Sequence, residues 1–251
     1  MSEVSTQRTI AAWNIFLDRD FPQEHRAKEI QDAIARLEPT PDVVGLMEVD
    51  MRLAAGYSMG QPSLWTPHSR KKLHEGIGVY GPGVDVEGVE LIDLGFKKTA
   101  LLVKLGDTAT IFAHLKRPQD VFDLSEQREQ TGVLIEVAQD YKKVAIIGDM
   151  NSLRWQGRNS PRRELLRAGF TSVYSLPGVA RPYFPADSMR GDDEYARRLR
   201  KVEKLGLKVA RRLVQLDDCY IRGDGLKVVT ASTQAGASDH PLLLVTLEGV
   251  A

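Results

Sequence analysis

The chain has 251 residues and carries 34 Lys or Arg against 34 Asp or Glu, so its formal net charge is zero. No global field therefore advertises nucleic acid or a membrane surface, although a local basic patch would be enough for a nucleic acid. The length suits one large domain or two small ones, and a single cysteine, Cys219, excludes both a disulfide framework and a cysteine zinc site.

The amino terminus MSEVSTQRTI lacks an apolar signal core, and no run is long enough to span a bilayer. The expectation is a soluble, cytoplasmic protein with no transmembrane segment. Along the chain, Arg8–Trp13 reads as a strand ending at Asn14. His25–Leu37 has Ala27, Ile30, Ala33, Ile34 and Leu37 at helical spacing, and Pro39 and Pro41 close it. Val43–Met47 is a buried strand that delivers Glu48 at its carboxyl end, and Gly56–His74 reads as a long irregular loop.

Four strand-like runs follow, Gly76–Tyr80, Val84–Ile92, Thr99–Leu105 and Thr108–His114, with turns at Gly81–Gly83 and at Gly106-Asp107. A helix is expected over Leu124–Tyr141 with Asp123 able to cap it. Lys143–Ser152 then combines a fully buried strand with the polar set Asp149, Asn151 and Ser152 directly after Gly148. Ser160-Pro161 opens a short helix that Gly169 ends. Leu213–Ile221 reads as a strand with Asp217 and Asp218 in its middle, and Ala237–His240 as a polar turn before the strand Leu242–Leu247. No repeat or linker interrupts the chain, and one domain over residues 1–251 is the simplest organisation.

Several apolar strands thus end in one chemically useful residue: Asn14, Glu48, His114, Asp149, Asn151 and Asp239-His240. Each alone reads as a cap, a solvated turn or a packed histidine; the set is harder to explain that way. Its chemistry is coherent. Asn14, Glu48 and Asp239 are hard oxygen donors suited to magnesium or manganese. His114 and Asn151 can donate to phosphoryl oxygens as charge builds in the transition state. Asp217 beside His240 has the logic of a carboxylate–histidine pair, and either Asp149 or His240 can take the proton of an attacking water.

The ordered motifs AAWN (11–14), VVGLMEV (43–49), FAHL (112–115), IIGDMNS (146–152), QLDD (215–218) and ASDHP (237–241) resemble the endonuclease/exonuclease/phosphatase, or deoxyribonuclease I-like, superfamily over nearly the whole chain. That resemblance implies an α/β fold, a four-layer sandwich of two mixed β-sheets packed face to face with helices outside. It implies one or two Mg²⁺ ions, with Mn²⁺ an alternative, and in-line attack of water on a phosphate ester. It places Asn14, Glu48 and Asp239 around metal, His114 and Asn151 on phosphate, Asp149 near the nucleophile, and Asp217 with His240. Three positions depart from the family pattern: Met47 stands where Gln is common, the serine–arginine pair expected after the 76–83 run is absent, and Asp218 replaces an aromatic residue or His.

Residues 190–212 look like an insertion with nine Lys or Arg against four acids and apolar residues at roughly helical spacing, either a solvated amphipathic helix or a basic element over the site. Lys71, Lys72, Lys97, Lys98, Lys116, Arg117 and Arg154 are candidate phosphate contacts, and Trp155 is placed to stack on a base or to pack. The expected activity is a metal-dependent phosphodiesterase acting on DNA or RNA. A hydrolase of a phospholipid head group or small phosphorylated metabolite is the alternative, and a non-catalytic binding module on the same fold is the third reading.

Overall fold

The computed structural model describes residues 6–16, 23–67, 75–118, 123–152, 160–179, 216–236 and 238–249. The strands are β1 (Thr6–Asn14), β2 (Val43–Asp50), β3 (Ser63–Pro67), β4 (Glu75–Tyr80), β5 (Glu90–Gly95), β6 (Lys98–Leu105), β7 (Thr108–His114), β8 (Lys143–Asp149), β9 (Thr171–Ser172), β10 (Asp217–Arg222), β11 (Leu226–Gly236) and β12 (Ser238–Gly249). The α-helices are α1 (Ala27–Ala35), α2 (Ala54–Tyr57), α3 (Ser125–Gln139) and α4 (Pro161–Arg167). Two six-stranded sheets result, in the orders β11-β12-β1-β2-β4-β3 and β5-β6-β7-β8-β10-β9. Each is mixed: β1 with β2 and β7 with β8 run parallel, and the other pairs antiparallel.

Strand alternation explains why the sheets stack. In β1 and β2, Ile10, Ala12, Val43 and Met47 face inward, where they meet Leu101, Val103, Phe112, Ala145 and Ile147 of the other sheet. The opposite faces bury Ala11, Trp13, Val44 and Leu46 under α1, and Ile111, Val144 and Ile146 under α3 and α4. This is the four-layer α/β sandwich. Its two layers of helix lie outside two sheets, and the central strands β1, β2, β7 and β8 are apolar on both faces because both are covered.

Several local expectations hold. Ser160 caps α4, accepting from the Arg163 N–H at 3.4 Å. Gly106-Asp107 forms the two-residue hairpin turn between β6 and β7, and the positive φ of 65° at Gly106 is what such a turn asks of its first residue. Asp123 accepts from the Ser125 N–H at 3.2 Å, holding the start of α3.

Four expectations need correction. The 56–74 loop contains β3, which pairs with β4; Gly78 has no side chain, and the Trp65 ring lies over it. The Val84–Ile92 run is broken by a 3-10 turn at Val86–Gly88, capped by Asp85 accepting from the Glu87 N–H, so the strand starts at Glu90. Asp217 opens β10 instead of standing in its middle, and Ser238–His240 is already part of β12, paired with the unanticipated strand β11. The basic 190–212 segment lies outside the described residues.

The two sheets touch closely at Gly45, where a Cβ would collide with the Phe112 ring. Gly45→Ala is expected to lower stability by about 1–3 kcal/mol, the usual cost of overpacking. In a denaturation double-mutant cycle, Gly45→Ala with Phe112→Leu should lose less than the sum of the single variants. Additive losses would show that the two residues do not compete for the same space.

Candidate active site

The polar residues gather at one end of the sandwich for a topological reason. β1, β2, β7 and β8 bring their carboxyl ends there, and antiparallel β10 and β12 bring their amino ends. Asn14, His114, Asp149 and Asp217 occupy the inward-facing phase of their strands, one step beyond the apolar run. His114 pairs with Asp149 across β7 and β8, and Asp149 with Asp217 across β8 and β10.

Asp149 is the buried centre, 1% exposed. Its Oδ2 accepts from Asn14 Nδ2 at 2.9 Å and its Oδ1 from the Asn151 N–H at 2.8 Å. Desolvation pushes its pKa upward, the nearby Asp217 charge adds to this, and His240 with the two hydrogen bonds opposes it. Gly148 makes the approach feasible: a Cβ there would strike the Ala113 carbonyl and come within 2.6 Å of Met47 Cε. Met47 therefore packs against the backbone that carries Asp149.

Glu48 reaches the site by a backbone irregularity. The pairing of β2 with β4 slips between Leu46 opposite Gly78 and Val49 opposite Gly76, so Met47 and Glu48 together face one residue. Glu48 itself has a φ of 54°, unusual for a residue with a side chain. Its Oε1 lies 3.4 Å from Asn14 Nδ2 and 3.5 Å from His114 Nε2. Because Asp149 Oδ2 is 3.7 Å from the same His114 nitrogen, the two carboxylates converge on one small volume.

The two imidazoles are held from behind by opposite partners. His240 Nδ1 sits 2.9 Å and 3.1 Å from the Asp217 carboxylate oxygens, and its Nε2 is 3.8 Å from Asp149 Oδ2. His114 Nδ1 lies 3.3 Å from Lys98 Nζ, which in turn lies 3.5 Å from Glu75. An ammonium makes Nδ1 the acceptor, so His114 presents Nε2–H to the site. Asn151, at a φ of 46°, donates through Nδ2 to the Leu115 carbonyl at 2.9 Å, tying β8 to the end of β7 and leaving a second N–H on that amide. Ser238 fastens the last motif to the first, donating to the Asn14 carbonyl at 2.6 Å and accepting from the His240 N–H at 3.2 Å.

Thus Asn14, Glu48, His114, Asp149, Asn151, Asp217 and His240 come together. The backbone of Asp239 lies in β12 between Ser238 and His240; its side chain is outside the description, as are Arg154 and Trp155. Lys116 is taken up by Glu126 at 2.7 Å, and Arg117 is half-buried beside it. Sequence reasoning missed Glu75, which fell between the expected loop and the expected strand, and Phe96, an exposed aromatic at the tip of the β5–β6 hairpin with Lys116 Nζ 5.5 Å from its ring. Nothing in the sequence marks either.

Asp149, Asp217 and His240 offer ligand atoms within 4.8 Å of one another, a buried group able to hold a metal ion. Asp217 and His240 are already hydrogen-bonded to each other, however, and a hard cation is better served on the oxygen side, between Glu48 and Asp149. The residues fit a divalent cation, since converging carboxylates in a desolvated pocket are relieved by positive charge.

No family model matches the chain, and no curated protein matches it. Solved structures do. Humanized D. rerio TDP2 superposes with a TM-score of 0.68 at 16% identity, over 96% of this chain and 98% of that one. An endonuclease/exonuclease/phosphatase from Beutenbergia cavernae gives 0.68 at 18% identity, over 97% and 72%. A D. rerio TDP2 complexed with single strand DNA product gives 0.68 at 15%, over 96% and 99%. The chain has the fold of the endonuclease/exonuclease/phosphatase superfamily.

The burial of Asp149 predicts a trade-off. Its folded pKa lies above the unfolded value, so the folded state binds more protons and metal-free stability falls as pH rises from the unfolded toward the folded pKa. Without metal at pH 7.5, Asp149→Asn is expected to melt above the parent, and the gap should close on acidification. With Mn²⁺ the order should reverse, because only the parent gains from binding. Calorimetry with and without EDTA tests both; an Asn variant stabilised by Mn²⁺ as much as the parent would remove Asp149 from the cation pocket.

Proposed function

We propose that this chain is a Mg²⁺-dependent phosphoesterase, most simply a nuclease-type phosphodiesterase on DNA or RNA. The convergence of Glu48, His114, Asp149 and the Asp217–His240 pair at one buried end carries the reading. A binding surface has no need to gather three carboxylates and two imidazoles with carboxylate–imidazole contacts of 2.9 to 3.8 Å, given what their desolvation costs. Mn²⁺ is an alternative ion. One domain over residues 1–251, the basic insertion at 190–212 and a cytoplasmic location belong to the same proposal.

In this reading Glu48 and Asp149 hold the cation, with Asp239 and Asn14 beside them. As the structure stands, the Asn14 amide nitrogen faces the carboxylates and its Oδ1 accepts from the Phe16 N–H at 3.0 Å, so Asn14 orients Asp149 and Glu48. The cation, when bound, polarises the phosphoryl oxygen and offsets charge on the leaving oxygen. His114 Nε2–H and the second N–H of Asn151 donate to the equatorial oxygens. His240, with Nδ1–H donated to Asp217, directs Nε2 toward Asp149 and takes the proton of the attacking water there. Lys97, Lys98, Lys116, Arg117, Arg154 and Trp155 are the candidate contacts to the rest of the substrate.

One observation supports a nucleic acid: a neighbour with the same fold was solved with single-stranded DNA. The pairing of Lys98 with Glu75 and Lys116 with Glu126 weakens the described rim as a basic track, and this favours the alternative, a phospholipid head group or small phosphorylated metabolite.

The test is hydrolysis of single- and double-stranded DNA, RNA, a phosphocholine lipid, an inositol phosphate and bis-p-nitrophenyl phosphate, each with Mg²⁺, Mn²⁺ or EDTA. Cleavage of DNA or RNA, dependent on metal, is expected, with His240→Ala lowering kcat at least ~100-fold, the usual range for a lost general base, and KM little. Cleavage confined to the lipid or inositol phosphate would select the alternative. No turnover in any arm, with metal bound, would leave the binding module.

A further inference from the structure

We propose that Gln23 is the positioning residue of the cation pocket, clamping the backbone on which both Asn14 and Glu48 depend; this rests on the metal reading above. Gln23 opens the 3-10 turn before α1 and is completely buried. Its Nε2 donates to the Glu48 carbonyl at 2.6 Å and to the Phe16 carbonyl at 3.2 Å. Its Oε1 accepts from the Asp50 N–H at 2.8 Å and lies 3.4 Å from the Tyr57 hydroxyl. One amide therefore satisfies four groups.

The two carbonyls it holds are not arbitrary. Phe16 and Glu48 both have a φ of 54°, the left-handed region that residues with side chains avoid. Such conformations persist only where surrounding contacts over-determine them. Both also lie where the sheet stops providing hydrogen bonds. The β1–β2 ladder ends at Asn14 opposite Met47, followed by one bond from the Ile15 N–H to the Met47 carbonyl. The β2–β4 ladder slips across Met47 and Glu48. A side chain from the helical layer takes the ladder's place at these two points. Arg26 also donates to the Phe16 carbonyl, so that side of the clamp is shared.

The consequence for the site is direct. The Phe16 N–H donates to Asn14 Oδ1 and so decides which end of that amide faces the carboxylates. The Glu48 backbone decides whether its carboxylate meets Asp149 or turns toward the helix side, where Leu46 and Val49 pack. Releasing Gln23 lets both relax, and the pocket loses its preformed donor geometry while the sandwich core stays packed.

The experiment measures Mn²⁺ binding by electron paramagnetic resonance on the metal-stripped full chain, beside circular dichroism and melting. Gln23→Met keeps length and volume but can neither donate nor accept. It is expected to weaken Mn²⁺ binding about 10–100-fold, the range found for groups that orient ligands, with secondary structure retained. Leu134→Ala, a core change under the other sheet, should lower the melting temperature without moving the Mn²⁺ affinity. If Gln23→Met does not fold, Gln23→Glu keeps the acceptor for the Asp50 N–H, removes the donor, and is expected to show the same loss. Unchanged affinity in the folded Gln23 variant overturns the assignment, and so does an equal loss in Leu134→Ala. Failure of the parent chain to take up Mn²⁺ overturns the metal reading itself.

Discussion

The structure depends on a carboxylate that the fold buries almost completely. Asp149 ends a strand buried on both faces, and Gly148 before it lets the Ala113 carbonyl and the Met47 side chain pack close to the backbone that carries it. A charge there is strongly disfavoured unless other groups stabilise it. Asn14, the Asn151 N–H and His240 do part of that work, while Asp217 works against it. The pocket is left needing positive charge on the side where Glu48 also points, and a cation in the proposed site would meet that need.

Strand direction decides which residues can answer it. A parallel pair puts two carboxyl ends side by side, so Asn14 comes near Met47 and Glu48, and His114 near Asp149. An antiparallel neighbour contributes the opposite end of its strand. Asp217 and His240 therefore come from strand starts, far along the chain from the residues they meet. Mixed sheets are needed for this gathering, since in an all-parallel arrangement the first residues of β10 would lie at the far end. Face-to-face packing then closes the site between sheets, with Asn14, Glu48 and His240 from one and His114, Asp149, Asp217 and, just past β8, Asn151 from the other.

This logic sets what the sequence could disclose. Buried strands ending in a polar residue were readable because hydrophobic runs and the residue that breaks them are local features; Gly148-Asp149 and His114 are examples. The fold followed from the order of the motifs. Edge strands were not readable. β3 carries Ser63, Thr66 and Pro67, and β11 carries Lys227, Thr230, Ser232 and Gln234, so neither shows a hydrophobic run. They are strands because a neighbour offers a ladder. The place of Asp217 was misjudged for a similar reason: Leu216 is apolar and buried, yet it stands outside the strand, its carbonyl accepting from the Met150 N–H at 2.8 Å. Bulges are equally silent, since no residue type in VVGLMEV announces the left-handed backbone at Glu48.

The two histidines show how far one residue type can be differentiated by what stands behind it. Lys98 has only protons to offer, so His114 Nδ1 must present its lone pair to it and Nε2 carries hydrogen toward Glu48 and Asp149. Asp217 has only lone pairs to offer, so His240 Nδ1 carries the hydrogen and Nε2 faces Asp149 as the ring's second, exchangeable nitrogen. A fixed donor and a proton acceptor thus face one pocket from opposite sheets. That asymmetry suits the proposed reaction, in which one imidazole would steady charge on the phosphoryl oxygens and the other would remove a proton from the nucleophile. Swapping the partners, ammonium for carboxylate, would reverse both roles without moving either ring. In that proposal the direction of proton flow would be set by Lys98 and Asp217 from behind the two rings.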